Sequence, residues 1–149
     1  MTVPAHPSSG ASLDARGVAP VAVERAVLEM LDRGLAITFV ARGGSMARAL
    51  RSGTKVRVEP CGAGDAHVGE VVAVVRPDGG IRLHRVAARC RRCDAILTWG
   101  DGQATHDGWT TRVFGRVRHV DRGTAVPTTF GAWTRRMRAR NVRCPCASR

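Results

Sequence analysis

The stretch EVVAVVRPDGGIRLHRVAAR, residues 70–89, decides the fold class. Glu70 to Arg76 and Ile81 to Arg89 are rich in β-branched residues and read as two strands. Between them lies Pro77-Asp78-Gly79-Gly80. Proline presets a turn, aspartate bonds its own backbone, and glycine supplies the positive φ that a hairpin requires. The two strands are therefore antiparallel neighbours.

Working outward, the same grammar continues. Upstream, Lys55-Val56-Arg57-Val58-Glu59 alternates polar and apolar as a half-buried strand does. Pro60 to Val68 is a loop, and Leu35 to Ala41 is an earlier strand. Downstream, Ala95 to Trp99 and Thr110 to Val120 supply two more. A helix from Pro20 to Arg33 precedes them, stopped by Gly34, with Val23, Val27, Met30 and Leu31 on one face. The expected class is mainly β, a β-rich α+β domain with one N-terminal helix.

The chain has 149 residues, enough for a single domain with a real core. Residues 1–17 are polar, with Pro4, Pro7 and Gly10, and read as a disordered N-terminus. The domain spans 18–124, and 125–149 is a basic tail containing Trp133 and Met137. The expectation for that tail is a solvated, frayed segment; a short amphipathic basic helix is the alternative.

The formal net charge is +12, almost all of it arginine. Such a surface attracts anionic partners, and peripheral contact of the basic tail with an anionic membrane is one open alternative. Nucleic acid is not the expected partner: aromatics are 4% with no tyrosine, so stacking platforms for bases are scarce. No apolar run reaches the roughly 18 residues of a membrane span, and the N-terminus has no signal-peptide core. The expected location is cytoplasmic.

Five cysteines, Cys61, Cys90, Cys93, Cys144 and Cys146, do not suit a disulfide framework. Cys90 and Cys93 have metal-knuckle spacing, and with Cys144 and Cys146 they could hold zinc. The second pair, however, is far along the chain and closely spaced. The expectation is no metal and no cofactor, with Cys90 and Cys93 in an ordinary turn.

Chemistry-bearing residues punctuate the strands. Ser45 follows Gly43 and Gly44, which let the backbone bend and a substrate approach. His84 lies within the returning strand of the hairpin, and Asp101 and Asp107 lie in a polar loop. Each is ordinary by itself.

Together they resemble a known series. Gly43-Gly44-Ser45-Met46 with Leu50-Arg51-Ser52-Gly53 resembles the G-x-S-M…L-x-x-G box of signal peptidase I and its LexA-like relatives. Gly69-Glu70-Val71-Val72 is similar to the G-D-V-V strand. His84-Arg85-Val86 is similar to the H-R-V box, Gly100-Asp101 with Asp107 to the G-D-x-x-x-x-x-D box, and Val113-Phe114-Gly115-Arg116-Val117 to the closing strand. The five boxes stand in family order over about residues 39 to 120.

The resemblance implies a bent antiparallel β domain and a serine endopeptidase acting on a peptide or protein substrate. With histidine where other branches place lysine, it resembles the archaeal and endoplasmic-reticulum branch. Ser45 would then be nucleophile, His84 general base, Asp107 the orienting acid and Asp101 a supporting acid. Gly43, Gly44 and Met46 would line the substrate and oxyanion region. The substrate would be a leader or signal-like peptide, or one partner protein, with small residues at the cut. Arg48 stands where the family has proline, and Gly43 where many members have an oxyanion-binding serine. A non-catalytic peptide-binding member of the fold and a basic nucleic-acid-binding module are the alternatives.

Overall fold

A computed structural model describes residues 21–121 and 123–148; the N-terminus read as disordered lies outside them. The elements are α1 (Val21–Asp32), β1 (Ile37–Val40), β2 (Lys55–Pro60), β3 (Val71–Val75), β4 (Ile81–Arg89), β5 (Ile96–Trp99), β6 (Gly108–Thr110), β7 (Val113–Val120) and α2 (Phe130–Ala139). The class is mainly β, as the sequence implies. Among the described residues the seven strands form one antiparallel sheet in the order β1-β2-β7-β3-β4-β5-β6.

The hairpin forms where the turn chemistry puts it. Gly79 has φ +86°, the Gly80 N–H donates to Asp78 Oδ1 at 3.0 Å, and the Arg76 N–H donates to the Gly80 carbonyl at 2.8 Å. Val71 pairs with Arg85 and Val75 with Ile81. All five residues of β3 are buried, as in a strand covered on both faces. Val71 and Ala73 join a core with Leu31, Met46, Leu50, Val56 and Val58. Val72 and Val74 join a second with Val86, Ile96 and Val113.

The sheet cannot be flat. In a flat sheet β6 and β7 would lie four strand spacings apart, roughly 19 Å at about 4.8 Å each. Only Thr111 and Arg112 join them, and three Cα steps reach at most about 11 Å. The sheet therefore curls until the end of β6 meets the start of β7. This is why the single strand expected over Thr110 to Val120 is broken in two. At the break the Arg112 N–H donates to Thr110 Oγ1, and the Arg112 carbonyl accepts from the Val75 N–H.

Other boundaries shift for local reasons. The first strand begins at Ile37, because Leu35 is still in the helix stop: its N–H reaches the Met30 carbonyl at 3.0 Å while Gly34 takes φ +82°, a Schellman-type ending. Of the expected helix face, Leu31 is buried and Val27 packs beside it, but Met30 is 42% exposed.

The C-terminal segment corrects the expectation of a frayed tail. Thr129 caps α2, its side-chain oxygen accepting from the Ala132 N–H at 3.0 Å. Ala132 and Ala139 are buried, and Ala139 packs with Ala87, Leu97 and Trp99. Small residues at the inner face let the helix lie close on β4. Its large apolar side chains, Phe130, Trp133 and Met137, face solvent, so its amphipathic pattern does not mark its buried side. Among the described residues no helix is long and apolar enough to cross a membrane.

Candidate active site

Ser45 is positioned by the loop after β1. Its ends are tied where the Ala41 N–H donates to the Thr54 carbonyl and the Gly53 N–H to the Ala41 carbonyl, both at 2.8 Å. Inside, the Leu50 N–H reaches the Met46 carbonyl four residues back, making one helical turn. Met46 and Leu50 are both buried in the first core. That anchor presents Ser45 at the start of the turn, with exposed Gly43 at φ +98° and exposed Gly44 before it.

His84 is in the middle of β4, 1% exposed. Its Nε2 is 2.9 Å from Ser45 Oγ and its Nδ1 is 2.5 Å from Asp107 Oδ2. Ser45, His84 and Asp107 thus form one continuous hydrogen-bonded series across 62 residues of chain. The ring is gripped at both nitrogens, which fixes its orientation.

Asp107 is held by four groups. Its N–H donates to the Thr98 carbonyl at 2.9 Å, and Thr98 Oγ1 donates to its Oδ2 at 2.9 Å. Arg82 Nη1 donates to Oδ1 at 2.6 Å, and His84 takes Oδ2. The residue lies at the surface, but its side chain is only 12% exposed. Burial pushes the carboxyl up, while the hydrogen bond and charge of His84, then Thr98 and Arg82, outweigh it and hold the pKa below the usual 3.8. The carboxylate is ionised at neutral pH.

Thr98 and Arg82 were not singled out in the sequence. A signal for Arg82 exists: it is two residues before His84, so strand alternation puts both side chains on one face. Thr98 pairs with Val86 across β4 and β5, which shares that face too.

Asp101 does not join this series, against the expectation of a supporting acid. Its two oxygens receive Arg85 Nε at 2.9 Å and Nη2 at 2.8 Å, with Thr129 Oγ1 at 3.2 Å. Arg85 also donates to the carbonyls of Gly69 and Pro127. Both side chains are buried, 6% and 1% exposed. Asp101 is thus paired with Arg85 and Thr129, and His84 is not among its hydrogen-bond partners. Met46 likewise is not a substrate-lining side chain: it is buried, and its Sδ receives the Asp101 N–H at 3.3 Å.

Gly100 earns its place sterically. A Cβ there would stand 2.9 Å from the Ser45 carbonyl oxygen and 3.0 Å from His84 Nε2. Only a hydrogen fits between the serine loop and the imidazole. The Gly102 N–H closes the same contact, donating to the Ser45 carbonyl at 2.8 Å.

The two cysteine pairs lie closer in space than their places in the chain suggest. Packing of α2 brings Cys144 and Cys146 back to the turn between β4 and β5, and the four sulfurs of Cys90, Cys93, Cys144 and Cys146 lie within 4.8 Å of one another. Sequence distance concealed this proximity. Cys61 is elsewhere, buried in the second core. Compared with known proteins, the chain matches no family model, no curated protein and no solved structure.

Proposed function

We propose that this protein is a serine-type endopeptidase in which Ser45 is the nucleophile, His84 the general base and Asp107 the residue that orients it. One observation carries the reading: the series Ser45 Oγ, His84 Nε2, His84 Nδ1 and Asp107 Oδ2, with links of 2.9 and 2.5 Å.

Each link has a chemical job. A serine hydroxyl is a weak nucleophile until a base takes its proton. His84 Nε2 is within reach to do so as Oγ attacks the scissile carbonyl. The proton then passes from Nε2 to the departing amine, leaving an acyl group on Ser45. A water, deprotonated by the same nitrogen, releases that acyl group and restores the serine. Asp107, ionised at neutral pH, holds the tautomer with Nε2 free to accept and stabilises the imidazolium. The Ser45 N–H has no acceptor among the described residues and is available to the developing oxyanion.

The substrate best suited to this site is an extended peptide. β1 is one edge of the sheet and leads into the Ser45 loop; β6 is the other edge and directly follows Asp107. A sheet edge recognises extended backbone by strand addition. The box resemblance favours a signal-like or leader peptide, or a partner protein, cut beside small residues.

The test is a mass-spectrometric digest of a peptide library, run with wild type, Ser45→Ala and His84→Ala. Cleavage in wild type should fall by roughly 10⁴-fold or more in both variants, with unchanged thermal stability for Ser45→Ala. A folded wild type that cuts nothing, or cutting that survives Ser45→Ala, overturns the reading. The first of these outcomes leaves a peptide-binding role for the same edge.

A further inference from the structure

Two short cysteine motifs lie more than fifty residues apart in this chain. Cys90-Arg91-Arg92-Cys93 occupies the turn after β4, and Cys144-Pro145-Cys146 follows α2. Folding brings all four sulfurs within 4.8 Å of one another. Cys90 Sγ is 3.2 Å from Cys146 Sγ, and Cys93 Sγ is 3.7 Å from Cys144 Sγ.

Those spacings discriminate between chemistries. A disulfide needs sulfurs about 2.05 Å apart. Four thiolates around a tetrahedral zinc, each about 2.3 Å from it, stand about 3.8 Å from one another. The observed pairs lie nearer the second value. The knuckle turn is also formed: the Arg92 N–H donates to Cys90 Sγ at 3.4 Å, a bond that favours a thiolate. An all-sulfur tetrahedral set selects zinc over magnesium or calcium, which prefer oxygen.

We propose that Cys90, Cys93, Cys144 and Cys146 bind one zinc ion as a structural site that fastens the C-terminal segment to the β4–β5 turn. Binding one Zn²⁺ to four thiols forms four Zn–S bonds and releases four protons. No electron is exchanged. The product carries two negative charges, and Arg91, Arg92 and Arg143 adjoin its ligands in the sequence. With four protein ligands no open position remains, so the site is structural and not hydrolytic.

The site bears on the catalytic loop through α2. At its far end the helix leads to Cys144 and Cys146. At its near end Thr129 Oγ1 donates to Asp101, and Arg135 Nε donates to the Gln103 carbonyl at 2.8 Å. A Cβ on Gly131 would stand 2.6 Å from the Asp101 carbonyl oxygen, so the helix lies directly on the loop between β5 and β6. Zinc clamps one end of a helix whose other end braces that loop. Zinc binding itself is independent of whether the chain cleaves peptides.

The experiment uses the full chain, purified under reducing conditions. Native mass spectrometry and elemental analysis should find about one zinc per chain, with an intact neutral mass equal to protein plus zinc less two hydrogens. Replacement by Co²⁺ should give sulfur-to-cobalt charge transfer and the visible bands of a tetrahedral site. Cys90→Ser and Cys146→Ser should each reduce zinc retention by about tenfold or more after chelator challenge, while Cys61→Ser keeps it. The wild-type mass and cobalt spectrum need no variant to fold. Overturning results are metal-free protein after refolding with zinc, two disulfides in the reduced preparation, iron as the bound ion, or equal loss of zinc in Cys61→Ser.

Discussion

His84 and Arg85 are neighbours in the chain, yet each meets a different aspartate on a different face of β4. His84 meets Asp107, with Arg82 and Thr98 beside it and Ser45 in front. Arg85 meets Asp101, with the carbonyls of Gly69 and Pro127 beneath and α2 above. The first pair is linked to a surface serine hydroxyl. The second is closed: both acid oxygens are filled by one guanidinium. The difference teaches that neighbouring residues of one strand, each facing a carboxylate, can leave one pair linked to a hydroxyl and close the other within the fold. Strand alternation makes the division.

Exchanging charge for amide on each side is the strongest way to break this comparison. Asp107→Asn should lower peptide cleavage by roughly 10⁴-fold, since the amide favours the wrong imidazole tautomer, while the fold persists. Asp101→Asn should leave turnover per folded molecule within a small factor and act on stability. Parallel rate and denaturation measurements decide it. Equal rate losses in the two variants would erase the distinction.

On the structural side, Arg85→Ala leaves Asp101 as a buried charge without a cation, bonded only by the Thr129 hydroxyl. The expected cost is about 3–5 kcal/mol, read in denaturant unfolding. A loss below 1 kcal/mol would mean that water or Thr129 replaces the guanidinium.

Gly100→Ala sharpens the comparison from between the two faces. Its methyl would press on His84 Nε2 and the Ser45 carbonyl. A displacement of about 1 Å costs on the order of 10² in rate, with a smaller effect on stability. Unaltered cleavage in this variant would show that the serine loop yields freely.

The smallest effect belongs to Arg82→Gln. This pair is partly exposed, with Arg82 32% and Asp107 12% exposed, so about 0.2–1 kcal/mol is expected. The pH dependence has a definite sign. Because the folded pKa of Asp107 is depressed below 3.8, its ionised form contributes stability that is present above the unfolded value and lost as pH falls through the folded one. Removing Arg82 should move that loss to higher pH. Acid titration of the two proteins, followed by carboxyl NMR, measures the shift; a shift to lower pH would contradict the ion pair.

Much of this was legible in one dimension. The turn Pro77-Asp78-Gly79-Gly80 sets the β3–β4 hairpin because its residues satisfy the turn locally, whatever surrounds them. Ser45, His84 and Asp107 could be named as partners because the boxes around them appear in a recognisable order. Asp101 was misread because a box gives sequence position and does not say which face of β4 its carboxylate will meet. The frayed reading of the tail failed similarly: Ala132 and Ala139 carry little hydrophobic signal, but their smallness permits close packing on β4.

The sequence by itself determined the β class, the hairpin and the residue types able to do the chemistry, since turns and strand periodicity are local properties of the chain. Tertiary structure alone decided three pairings: Asp107 with Arg82 and Thr98, Asp101 with Arg85, and Cys90 and Cys93 with Cys144 and Cys146. These partners are separated by between 9 and 56 residues. What joins them is the curl of the sheet and the docking of α2. Both come from the burial of two cores, a property summed over the whole chain that no short stretch encodes.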